Sequence, residues 1–261
     1  MRSQSLRYLQ RNRGLVGFLV LLISTVPWVR AGAQATSERP YYDRVNSFGI
    51  ISAYSPDSSH IILGVAENRK LWSFGVSYSR RLWAGPRAIW HYDGELLPFA
   101  LEGDPLTREV IHQTSPKVST TVLDGGPGVS CAPVTGSFAF TDPNGVVYSG
   151  TVDAFCHGRQ WTFGQAVSPL GLQWNFLPHR KIQPLFTAHV GYMYSTKPIP
   201  VSFAGSFNFT FDFGPGIEFY RTATRSFRAE YRYHHISNHN SAIENPGIDN
   251  GLIQLSYLFG R

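Results

Sequence analysis

One pattern constrains this chain more than any other: repeated period-2 alternation in segments of about ten residues. From Phe227 to Ser237 the odd positions read Phe227, Ala229, Tyr231, Tyr233, His235 and Ser237. The even positions read Arg228, Glu230, Arg232, His234 and Ile236. Successive side chains of a strand point to opposite faces, so this is a strand with one apolar and one polar face. Trp72, Phe74, Val76 and Tyr78 form another apolar row, as do Phe186, Ala188, Val190, Tyr192 and Tyr194, and Phe209, Phe211 and Phe213. Eight such strands are predicted, at 47–54, 71–82, 88–99, 161–175, 184–195, 208–220, 226–237 and 250–259.

A soluble sandwich or lipocalin-like barrel, with its apolar row inward, would show the same alternation. Two features favour the opposite sense. Large charged groups such as Arg228, Glu230 and Arg232 can pair inside a narrow lumen. The connections also alternate in length. Residues 83–87, 176–183 and 221–225 are short, whereas 55–70, 100–160, 196–207 and 238–249 are longer, the asymmetry of short inner turns and long outer loops. The expected fold is all-β: an eight-stranded antiparallel outer-membrane β-barrel with long external loops.

Residues 1–35 read as a cleaved signal peptide: Arg2, Arg7, Arg11 and Arg13 precede an apolar run from Gly14 to Trp28, and Ala33-Gln34-Ala35 offers a small-residue cleavage site. The barrel domain is then 36–261. The leader carries five arginines and no acids, so the formal charge of +6 falls to +1 without it (6 − 5). No electrostatic footprint for nucleic acid remains. Cys131 and Cys156, an even count in an exported chain, read as a disulfide within the 100–160 loop. Around Asp142-Pro143-Asn144-Gly145 that loop shows a turn signal between Ser137–Thr141 and Val146–Val152, as of a pinned hairpin. Neither Cys-x-x-Cys nor His-Glu-x-x-His occurs, so no zinc site and no cofactor is indicated. No Gly-x-Ser-x-Gly elbow is present either. Arg69-Lys70, at the end of the first external loop, reads as a solvated pair.

The chemistry concentrates at the last hairpin. Residues i and i+2 of a strand point the same way, so His235 can approach the Ser237 hydroxyl as its base. Asp249 opens the apolar row of the next strand and can reach the other imidazole nitrogen, fixing the tautomer. Glu244, in the intervening loop, competes for that role. Asn238 could offer its side-chain amide to an oxyanion, with a loop backbone N–H as second donor. His234 points to the other face, as a lumen residue.

His235-x-Ser237-Asn238 followed by Asn245-Pro246-Gly247-x-Asp249 resembles the active-site hairpin of the lipid A 3-O-deacylases of Gram-negative outer membranes (the PagL family). The resemblance covers about 226–259. It implies an outer-membrane serine esterase without metal or cofactor, hydrolysing the ester-linked acyl chain at position 3 of lipid A. Ser237 matches the nucleophile, His235 the base and Asn238 the oxyanion amide, with a backbone N–H from Asn240. Asp249 falls at the triad acid, where the family typically has Glu. The implied partners are lipid A or lipopolysaccharide and the outer leaflet of the membrane; a homodimer stays open. Two other readings remain at this point: a non-enzymatic small barrel, adhesive or structural, with the 100–160 loop as its working surface, and a soluble exported β-protein holding a lipid inside.

Overall fold

The computed structural model describes residues 42–261; the expected signal peptide lies outside them. Ten antiparallel strands follow in order: β1 (Asn46–Ser55), β2 (Lys70–Ala84), β3 (Ala88–Ser115), β4 (Ser119–Pro127), β5 (Val134–Thr141), β6 (Val147–Phe176), β7 (Ile182–Ser195), β8 (Phe207–Thr222), β9 (Arg225–Ser237) and β10 (Ile248–Gly260). β1 pairs with both β2 and β10, and β3 pairs with β6. These pairings close β1, β2, β3 and β6 to β10 into an eight-stranded ring of outer-membrane barrel type. Each of the eight predicted strands has its counterpart in the ring.

The sense of the alternation is decided by burial. Phe48, Ile50, Trp72, Phe74, Val76 and Phe213 are exposed on the outside, while Ser73, Asp93, Glu95, Arg228 and Arg232 are buried within. An apolar exterior around a polar interior is the membrane sense and overturns the soluble lipid-carrier reading. Near the short turns Trp90 lies 5.8 Å from Trp83 and 6.4 Å from Trp174, ring centre to ring centre. At the other end Phe207 stands 5.6 Å from Tyr192 and 5.3 Å from Phe209. Such aromatic bands suit the two edges of a bilayer.

The lumen is filled rather than open. Arg232 bonds Glu95 (2.9 Å), Glu230 (2.9 Å) and Asp212 (3.3 Å), and Arg228 bonds Asp93 (2.8 Å). Near the turn end Arg44 reaches Glu218 and Ser226. Buried charges persist because they are paired. At the loop end a small apolar cluster containing Leu71, Met193, Ile199, Ile236, Ile248 and Leu252 closes the interior.

Residues 100–160 differ from the expected loop. β3 has 28 residues and β6 has 30, against the roughly ten that a tilted strand needs to cross a bilayer. Their surplus halves stay paired, from Arg108↔Phe155 to Ser115↔Ser149. β4 adds to this part of β3, and β5 to this part of β6. The result is a four-stranded collar, β4-β3-β6-β5, projecting from the barrel wall. Of its elements only the β5–β6 hairpin was marked in the sequence. Cys131–Cys156 form the expected disulfide, tying the β4–β5 connection to β6.

Candidate active site

The site is built by register. In the β9–β10 pair His235 lies directly opposite Asp249. Opposed residues of antiparallel strands share a face, so imidazole and carboxylate meet: His235 Nδ1 lies 2.6 Å from Asp249 Oδ1. The Tyr233 hydroxyl donates to the same oxygen at 2.7 Å. Asp249 Oδ2 accepts the backbone N–H groups of Ile62 (2.7 Å) and Leu63 (2.8 Å), from the first external loop. Every one of these contacts acts on the carboxylate, so its two oxygens are fixed in place. With Nδ1 engaged, His235 keeps Nε2 for chemistry.

His235 lies on the outward row yet is buried, its ring 5.1 Å from that of Phe211. Gly247 makes room for it. Its φ is +64°, and a Cβ there would stand 3.1 Å from His235 Cε1. A side chain at this position would be strained and would press on the base.

Ser237 follows two residues after His235 on the same row and is half-buried. Its hydroxyl donates to Asn245 Oδ1 (3.1 Å) and accepts the His239 N–H (3.2 Å). The structure therefore brings His235 and Asp249 into contact and sets Ser237 beside them, with its hydroxyl resting on Asn245. Asn238 is buried, and its side chain organises the loop. Nδ2 donates to the Glu244 carbonyl (2.7 Å), and Oδ1 accepts the Asn240 N–H (2.9 Å). Its backbone N–H donates to Asn245 Oδ1 at 3.1 Å. His239 and Asn240 both take positive φ, 55° and 60°, and turn the chain away from the strand. Glu244 is exposed, and the acid bonded to His235 is Asp249. His234 faces inward, lining a small cavity with the polar Glu95, Asp212 and Gln254 and the apolar Leu71, Met193 and Leu252.

Four contributors escaped the sequence reading. Tyr233 shares the 233, 235, 237 row, so periodicity alone could have found it. Asn245 was noted only as part of the Asn245-Pro246-Gly247-x-Asp249 motif, with no role assigned. The Ile62 and Leu63 N–H groups carry no side-chain signature at all. Among the described residues no group of three or more His, Cys, Asp or Glu could hold a metal ion.

The family model described as lipid A 3-O-deacylase (PagL) matches residues 134–257, from β5 into β10 and including the whole site hairpin. Among solved structures the chain is similar to the outer membrane enzyme PagL, at 12% identity over 82% of this chain and 99% of that one, with a TM-score of 0.45. It is also similar to Neisserial surface protein A, at 10% identity over 83% and 97% with a TM-score of 0.39. A third is the outer membrane protein OprG from Pseudomonas aeruginosa, at 12% identity over 86% and 100% with a TM-score of 0.38. No curated protein matches.

Proposed function

We propose, for a chain whose residues 134–257 match the lipid A 3-O-deacylase (PagL) family model, an outer-membrane serine esterase that removes the ester-linked acyl chain at position 3 of lipid A. The observation that carries this reading is the His235–Asp249 pair at 2.6 Å on the outward row of a membrane barrel, with Ser237 two residues along it. A nucleophile and base on the apolar side of the wall suit an ester whose acyl chain lies in the leaflet. Ile61, Ile62 and Leu63, beside the acid, are exposed and add apolar surface there.

In this mechanism the Ser237 hydroxyl turns from Asn245 to His235 Nε2, a rotation about one side-chain bond. Oγ attacks the acyl carbonyl carbon while Nε2 takes the proton, and Asp249 stabilises the imidazolium that forms. His235 returns the proton to the departing sugar oxygen. Water, activated by the same base, then releases the fatty acid from Ser237. The oxyanion is met at the start of the loop. Asn238 is the residue proposed there: its side chain shapes the turn, and the His239 N–H, released as the Ser237 hydroxyl swings away, faces the oxyanion with the Asn245 amide alongside.

Mass spectrometry of lipid A from Gram-negative cells expressing this chain tests the proposal. Loss of one hydroxyacyl mass with the native chain, and not with Ser237→Ala, is the expected result. Unchanged lipid A, with the native protein confirmed in the outer membrane, would overturn it.

A further inference from the structure

The acid of the proposed triad is held partly from outside its own hairpin, and the segment that holds it is itself anchored. Residues 56–69 form a closed strap. At its base Asn68 N–H donates to the Ser58 carbonyl (3.0 Å), and the Ser58 hydroxyl bonds both the Ala66 carbonyl (2.8 Å) and Arg69 N–H (3.0 Å). Its far side lies along the start of β10. Ser59 N–H donates to the Asp249 carbonyl (3.2 Å), Val65 N–H to Pro246 (2.9 Å) and Ala66 N–H to Gly247 (3.1 Å). The approach is so close that a Cβ on Gly64 would stand 2.6 Å from Asp249 N and 2.9 Å from its Oδ1.

Arg69 corrects the sequence expectation of a solvated charge, because it is fully buried. Its guanidinium bonds Asp104 (3.2 Å) and the carbonyls of Val129 (2.9 Å) and Pro200 (3.2 Å), and also those of Glu67 and Gly128. The strap meets the collar a second time: Glu67 N–H donates to the Val129 carbonyl (2.9 Å), and Ser130 donates to the Glu67 carboxylate (2.8 Å). The next residue, Cys131, is fastened to β6 by the disulfide. A planar fork of five donors suits this junction of carbonyls, and an ammonium cannot reproduce it.

We infer that the strap 56–69 is a positioning element of the active site, and that Arg69 is the residue that locks it to the disulfide-closed collar so that Ile62 and Leu63 hold the Asp249 carboxylate. This rests on Asp249 being the triad acid. The collar then has a task at the catalytic centre, although it rises from β3 and β6, which stand across the ring from β9 and β10.

A double-mutant cycle on the full-length protein in detergent, with lipid A micelles as substrate, separates positioning from folding. Arg69→Met should lower kcat about tenfold or more with KM within about twofold, since small misplacements of catalytic groups carry penalties of this order. In an Asp249→Ala background the same change should alter the rate less than about twofold, because the group it positions is gone. An equal loss in both backgrounds, or a normal kcat in Arg69→Met, would overturn the inference alone. Undiminished activity in Asp249→Ala would overturn it together with the triad. Heat-modifiable migration in gels reports barrel folding. If Arg69→Met fails to fold, Arg69→Lys, which keeps the buried charge but not the five-donor fork, enters the same cycle with the same expectations.

Discussion

Two of the histidine–aspartate pairs among the described residues engage Nδ1 in similar geometry but in opposite settings. His189 Nδ1 lies 2.9 Å from Asp212 in the lumen, and His235 Nδ1 lies 2.6 Å from Asp249 on the outer row. The lumen pair sits in a charge network: Arg232 also bonds Asp212, and Asp93 lies 3.6 Å from His189 Nε2. Its second nitrogen is buried among those carboxylates without a hydrogen-bond partner, and its strand neighbours on the inward row are Thr187 and Gly191. The outer pair has its acid held by Tyr233 and two backbone N–H groups, and a serine two residues from its base. A histidine–carboxylate bond is therefore not a triad in itself. What separates the two is the face of the strand, because only the outward face offers a nucleophile and access to lipid.

The comparison can be broken most sharply at the nucleophile. Ser237→Ala should lower deacylation by on the order of 10³-fold or more while the barrel still folds, measured as fatty acid released from lipid A micelles. Asp249→Asn keeps the shape and removes the charge, and should cost on the order of 10²- to 10³-fold in kcat by the same assay. His189→Gln carries the test to the lumen. It should leave the rate within about twofold, yet lower stability to urea in lipid vesicles by about 3 kcal/mol, because it disrupts a buried pair. A rate loss there comparable to that of Asp249→Asn would erase the distinction between the pairs. Smallest of all, Glu244→Gln should change neither rate nor stability beyond about twofold and 0.5 kcal/mol, as for an exposed surface group.

Much of the barrel was legible because a membrane imposes strict alternation on every strand that crosses it. Arg228, Glu230 and Arg232 marked the lumen face of β9, and that same parity placed His235 and Ser237 on the other side. Antiparallel pairing then made Asp249 a neighbour of His235. The collar was far less legible. β4 and most of β5 are exposed on both faces, so no burial selects one parity, and Ser119–Pro127 reads as polar loop. Arg69 was misread for a related reason. Its partners are mostly carbonyls of residues 128, 129 and 200, brought near only by closure of the ring, and backbone acceptors leave no trace in side-chain pattern. The same holds for the N–H pair of Ile62 and Leu63. Side-chain periodicity reports which face a residue occupies, whereas long-range backbone bonding at a loop is set by tertiary closure.

The most direct test of the outer pair and its serine as one working unit is covalent labelling. The purified protein in detergent would be treated with a long-chain alkyl fluorophosphonate, which reacts with serines activated by a neighbouring base, and digested for peptide mass spectrometry. A single adduct on Ser237, lost in both His235→Ala and Asp249→Asn and kept in His189→Gln, is the predicted result. An unlabelled Ser237 in the native protein, or labelling indifferent to His235, would contradict the account.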